Sequence, residues 1–182
     1  MRKFGVFLGV AAVLLGSAGF SQRTADPAKD RAAVEQIVRD SIGWALTKDR
    51  ALLERIITHD PDLFIFNPDS TSTSGWSSFV KNFEFWMDPR FKATSFDVRD
   101  LRVTFAGPGG VAWWSAILDD LALWDGKPTG WKDTRWTGVL EKRRGAWVIV
   151  QMHFSFASDK VRVEALAGPY QAMREHVGEL HQ

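Results

Sequence analysis

The 182-residue sequence contains no cysteine and a single tyrosine, Tyr170. Without cysteine the chain can form no disulfide and carry no lipid attached through cysteine, so packing alone must stabilise its fold. The four histidines are scattered without the spacing of a zinc site. The sequence also lacks a glycine-rich phosphate loop, a Gly-x-Ser-x-Gly elbow and a His-Glu-x-x-His motif. We therefore expect no metal and no cofactor.

The sequence also has almost no excess of charge of either sign. The 23 lysines and arginines nearly balance the 22 acids, giving a formal net charge of +1. The basic cluster EKRRG (residues 141–145) is typical of a solvated hairpin turn. This balance argues against a nucleic-acid partner.

The sequence has only one long apolar run, close to its start. Arg2 and Lys3 precede FGVFLGVAAVLLG, and small residues follow, with cleavage expected after Gly19 or Ser21. This pattern predicts a signal peptide over residues 1–21 and a secreted or periplasmic protein without a membrane anchor; a buried N-terminal helix is the alternative. Loss of Arg2 and Lys3 would change the net charge from +1 to −1. A polar linker is expected over residues 22–29.

The remaining pattern predicts one domain over residues 30–158, followed by a partly helical tail over 159–182. Helical periodicity begins at Asp30 and ends near Lys48, and Asp49 should cap a short second helix. A short strand and a small helix after Gly75 come next. Four strands then follow, over Phe91–Phe105, Val111–Trp124, Trp131–Arg143 and Trp147–Phe156. Helices first and a strand meander afterwards predict an α+β fold, with helices on one face of a strongly curved antiparallel sheet.

Nine tryptophans suggest a roomy core or an aromatic-lined cavity. If the last hairpin turns at residues 144–145, strict alternation places Trp136 opposite His153 and Gly138 opposite Gln151, with Ser155 on the same face. A mixed apolar and polar face with a space-making glycine is typical of a ligand cavity. Alternatively, this face is exposed or forms a subunit contact, and His153 is structural.

The strand Val111–Trp124 supplies further candidates. Trp113, Ser115 and Asp119 alternate onto one side, and Asp120 falls on the more apolar side with Trp114. In an apolar cleft the pKa of Asp119 would rise, and its carboxylate could act as a base. A solvated position at the sheet rim is the alternative.

RWTGVLEKRRGAWVIVQMHFS (residues 135–155), together with VAWWSA and the small helix after Gly75, resembles the SnoaL-like, nuclear transport factor 2-like superfamily. The resemblance covers residues 30–158 and implies a cone-shaped α+β domain with a cavity between sheet and helices. It implies that the cavity is lined by five of the candidate residues, Trp113, Ser115, Trp136, Gln151 and His153. Superfamily members include enzymes, binding proteins and assembly modules.

The resemblance leaves three functions open. The first is binding of a small, mainly apolar molecule in a tryptophan-lined cavity. The second is an isomerase, cyclase or dehydratase, for which the acid–histidine arrangement of the polyketide cyclases would be supplied by Asp119 and His153. The third is a dimeric assembly module. The apolar face predicted for the last strand, Val148, Val150, Met152 and Phe154, favours a homodimer in each case.

Overall fold

The computed structural model describes residues 27–107 and 110–157. The predicted signal peptide and the C-terminal tail lie outside the described residues. Four helices come first: α1 (Pro27–Thr47), α2 (Arg50–Ile56), α3 (Trp76–Phe79) and α4 (Asn82–Trp86). The strands are β1 (Phe64–Phe66), β2 (Ser72–Ser74), β3 (Phe91–Phe105), β4 (Val111–Trp124), β5 (Lys127–Arg143) and β6 (Ala146–Ser155). No helix in the described part of the chain is long and apolar enough to cross a membrane.

The predicted α+β class is confirmed. The strands form one six-stranded sheet in the order β2-β1-β6-β5-β4-β3. All neighbours are antiparallel except β1 and β6, which run parallel and make the sheet mixed. The helices lie against one face, called here the inner face; the opposite face is called the outer face.

The helices form where the sequence provides one apolar side. In α1 the buried residues Val34, Val38, Ser41 and Trp44 recur at helical spacing. The Asp49 side chain accepts a hydrogen bond of 2.9 Å from the backbone N–H of Leu52, confirming the predicted cap of α2. The predicted third helix is instead two short helices, α3 and α4. The turn-rich segment after β1 contains the short strand β2, which polar residues form by pairing with β1.

Extra residues interrupt the long strands at several points. β5 has one residue more than β4 opposite the step from Leu118 to Asp120, and β6 carries an extra residue at Val150. β3 contains two similar irregularities against β4. Such bulges bend a strand and increase its twist. They also reverse which face the following side chains point to, so they decide which residues surround the cavity.

Candidate functional site

The inner face and the helices enclose a cavity of about 120 Å³ that is partly open to solvent. Its walls come from α1, α2, α3, α4, β1, the β1–β2 connection and the four long strands. The described side chains lining it are mainly aliphatic and aromatic, and include no lysine or arginine. The polar residues at its wall are Ser41, Asn67, Asn82 and Asp120.

The aromatic part of the wall is tightly packed. The Trp86 ring lies 5.5 Å from the Trp44 ring and 5.5 Å from the Phe79 ring, both edge-on. On the sheet side, Phe154 stacks on Trp136 with ring centroids 6.0 Å apart. Edge-on and stacked contacts of this kind stabilise the wall beyond the area that they bury.

Asp120 is the acidic residue of this cavity. It keeps a minor part of its surface open to the cavity, while protein atoms surround its carboxyl on the other sides. Burial raises the pKa of this carboxyl to about 7, because desolvation penalises the charged form. A carboxyl with a pKa near neutrality can donate or accept a hydrogen bond, and can give up or take a proton, within the ordinary pH range.

Asp119 points the other way. Its Oδ1 accepts hydrogen bonds from Arg99 Nη2 at 2.7 Å and from the backbone N–H of Asp133 at 2.7 Å. Arg99 also donates to the Asp133 carboxylate at 2.9 Å. Asp119 therefore helps to hold the bulge of β5 on the outer face, which agrees with the solvated position and not with the apolar cleft. Its role as a catalytic base stays a prediction.

The space expected at Gly138 is filled by the protein itself. A Cβ added there would come within 2.0 Å of the Trp114 ring and 2.5 Å of the Gln151 carbonyl oxygen. Trp114 and Trp136 are fully buried and pack edge-on at 5.3 Å. Trp136 therefore supports the cavity from behind Phe154 and does not line it. The glycine makes room for an indole of the core and not for a ligand.

The predicted pairing of Trp136 with His153 is also wrong. Arg143 pairs with Ala146 as expected, but the extra residue Val150 shifts the register beyond Ile149. Trp136 therefore faces Phe154, and His153 pairs with Thr137 on the outer face. The same shift divides the apolar face predicted for β6. Met152 and Phe154 turn inward and line the cavity.

The predicted site residues thus separate into two sets: Trp136 is buried in the core on the inner face, and the others lie on the outer face. Five of them share the outer face: Trp113, Ser115, Gln151, His153 and Ser155. His153 contacts Phe66 edge-on at 5.3 Å. Asp119 lies further along the same face, and in the described residues no hydrogen bond or ion pair joins it to His153. Their roles as ligand-binding or catalytic residues stay predictions.

Sequence reasoning missed Asp120, although a signal was present. Strict alternation along β4 already placed it with Trp114 and Leu118, on the uniformly apolar side. A carboxylate in line with buried apolar residues is more unusual than one on a mixed face, and perturbed carboxylates of that kind concentrate at functional sites. In the described part of the chain, no cluster of three or more potential ligands could hold a metal ion.

The sequence matches the SnoaL-like domain over residues 34–159, more than half of the chain. The chain belongs to the SnoaL-like family. No curated protein gives a significant sequence match.

Solved structures confirm the fold of this SnoaL-like domain. A candidate dehydratase of the nuclear transport factor 2-like family from Streptomyces avermitilis has a TM-score of 0.60 at 17% identity, covering 72% of this chain and 98% of that one. The association domain of C. elegans calcium/calmodulin-dependent kinase II has a TM-score of 0.53 at 16% identity, covering 71% and 97%. A nuclear transport factor 2-like protein of unknown function in nutrient uptake, from Rhodospirillum rubrum, has a TM-score of 0.55 at 20% identity, covering 69% and 97%.

Proposed function

We propose that this SnoaL-like protein binds a small, mainly apolar molecule in the cavity between its helices and the inner face. The observation that carries the proposal is a single buried acid, Asp120, at the wall of an otherwise largely apolar cavity. Ligand sites combine apolar walls with a few polar groups that fix orientation. A cavity of roughly 150 Å³ accepts a benzene ring, so about 120 Å³ suits a compact ring.

A ligand screen on the purified protein tests this proposal. Native mass spectrometry should detect small neutral compounds bound to the wild-type protein. Asp120→Asn should weaken the binding of those compounds that carry a hydrogen-bonding group. Asp119→Asn is the matched control, because the neighbouring carboxyl lies on the outer face. Equal weakening by both variants, or binding unaffected by either, would contradict a site at Asp120.

Proton-transfer catalysis is the second candidate, and Asp120 is the residue that favours it. A carboxyl with a pKa of about 7 exchanges its proton readily at neutral pH, as an isomerase, cyclase or dehydratase requires. Among the comparisons is a candidate dehydratase, which shares the fold at 17% identity. Compounds found in the screen should then exchange a carbon-bound hydrogen for deuterium in D₂O. Asp120→Asn should abolish that exchange, whereas a simple binding protein would show none.

The outer face is the surface that we propose for a homodimer. Phe66 is 49% exposed and Trp113 is 44% exposed there. Exposed apolar patches of this kind mark contacts with other chains. In light scattering at micromolar concentration the wild-type protein should be dimeric and Trp113→Lys monomeric. Leu46→Lys, on an equally exposed leucine of α1, should leave the dimer intact, and a monomeric wild-type protein would contradict the proposal.

A further inference from the structure

A second cavity of about 70 Å³ adjoins the first. Both cavities are lined by the same four residues, Trp86, Phe91, Asp120 and Trp131. These shared residues, called here the partition, are three aromatic rings and one carboxyl. Asp120 thus borders both cavities.

The architecture of the sheet fixes this arrangement. Asp120 and Trp131 are cross-strand partners in β4 and β5. Beside them is Gly130, with φ +117°, where an added Cβ would come 2.1 Å from the Asp120 carbonyl oxygen. Only glycine fits this close approach of the two strands. β5 can therefore bring Trp131 next to Asp120 and leave open space on both sides of the partition.

The lining of the smaller cavity indicates what it would hold. Besides the partition it is lined by Phe85, Ala122, Thr129 and Gly130, so it too is mostly apolar. Phe85 stacks on Trp124 at 4.7 Å, which fixes that wall. In the described residues, neither lining includes a lysine or arginine that could neutralise an acidic ligand. An anionic group would also meet the Asp120 carboxyl, so both cavities suit neutral groups.

We propose that the ligand is a neutral two-part molecule, with an apolar ring in the larger cavity, a second apolar group in the smaller one, and a hydroxyl or similar group between them at Asp120. This inference rests on the proposed function and specifies the ligand class. It follows from the position of the carboxyl at the partition, where it can reach the middle of a molecule and not its end.

Three probes separate the parts of such a ligand. 1-Phenylpropan-1-ol has a hydroxyl between a ring and an ethyl group that is small enough for the 70 Å³ cavity. Benzyl alcohol lacks the ethyl group, and propylbenzene lacks the hydroxyl. By isothermal titration calorimetry, 1-phenylpropan-1-ol should bind about tenfold tighter than benzyl alcohol, since it buries two further carbons. Propylbenzene binding as tightly as 1-phenylpropan-1-ol would overturn the contact with Asp120.

Filling each cavity separately tests the two-part site. Ala122 lines only the smaller cavity and Ala45 only the larger one. Ala122→Leu should reduce the affinity for 1-phenylpropan-1-ol to about that for benzyl alcohol, and leave the affinity for benzyl alcohol unchanged. Ala45→Leu should weaken both alcohols. Thr129→Leu, at the cross-strand partner of Ala122, is the second variant if Ala122→Leu fails to fold.

The outcomes distinguish this inference from the proposed function. Suppose that Ala45→Leu weakens the binding of a ligand from the broader screen, whereas Ala122→Leu and Thr129→Leu leave its affinity unchanged. The two-part site is then overturned while the proposed function stands. The same holds if 1-phenylpropan-1-ol binds no tighter than benzyl alcohol. Insensitivity of every screened ligand to Ala45→Leu would overturn both.

Discussion

Replacing Asp120 by asparagine should change how the stability of the protein depends on pH. Burial raises the pKa of the Asp120 carboxyl from the ordinary 3.8 to about 7 in the folded state. Between these values the folded state holds a proton that the unfolded state has lost, so the free energy of unfolding falls as pH rises. Above about pH 7 both states are deprotonated and no further loss occurs.

The size of the effect follows from the shift. At about 1.4 kcal/mol per pKa unit, the full shift corresponds to on the order of 4 kcal/mol. Between pH 5 and pH 8 the expected loss is about 2–3 kcal/mol, because part of it has already occurred below pH 5. An asparagine side chain cannot ionise, so Asp120→Asn should remove this pH-dependent loss.

Urea unfolding at pH 5, 6, 7 and 8 measures this difference. For each protein the change in the free energy of unfolding with pH is determined, and the change in the variant is subtracted from that in the wild type. Other titrating groups contribute equally to both and cancel in this difference. A constant cost of burying the new amide does not affect that slope. Asp97→Asn, an exposed acid on β3, should keep the wild-type slope. If the wild type and Asp120→Asn change in parallel from pH 5 to pH 8, then Asp120 does not titrate near neutrality in the folded protein.

Three further predictions follow from the packing and the sequence. Trp136→Ala should lower the free energy of unfolding by about 3–5 kcal/mol, because Trp136 is fully buried. His153→Ala, on the half-exposed outer face, should lower the free energy of unfolding by less than about 1 kcal/mol and leave binding in the cavity unchanged. If urea unfolding gives similar losses for Trp136→Ala and His153→Ala, the assignment of faces is contradicted. Gly138→Ala should destabilise by about 1–3 kcal/mol through collision with Trp114, and an unchanged unfolding midpoint would refute that contact. N-terminal sequencing of exported protein should begin near Phe20 or Gln22, and a retained Met1 would contradict the signal peptide.

The fold class was predictable from the sequence because it depends on the spacing of apolar residues along whole helices and strands, which one extra residue does not remove. The helical spacing of Val34, Val38 and Trp44 and the alternation in the long strands both point to helices on a sheet. The Arg143–Ala146 hairpin was also correct.

The site was less predictable because it depends on bulges. Val150 is an ordinary strand residue, and nothing in its neighbourhood indicates that it has no partner across the strand. One such residue exchanges the faces of everything after it, and so His153 moved outward while Phe154 moved inward. The bulge opposite Asp119 is stabilised by the Asp133 backbone N–H, which donates to the Asp119 side chain on the neighbouring strand, and by Arg99 of β3, which donates to the Asp133 carboxylate; no local pattern shows these contacts. Asp120 was on the correct face, because the extra residue at that bulge belongs to β5 and not to β4.

The parallel pairing of β1 with β6 has a consequence for biosynthesis. Ile65 pairs with Met152 across about half the length of the chain, and both side chains line the cavity. While the ribosome is still making β5, β1 has only β2 beside it and presents an unpaired edge. Such edges are prone to wrong association until their partner arrives. The wall of the cavity is therefore complete only once β6 has emerged and paired with β1.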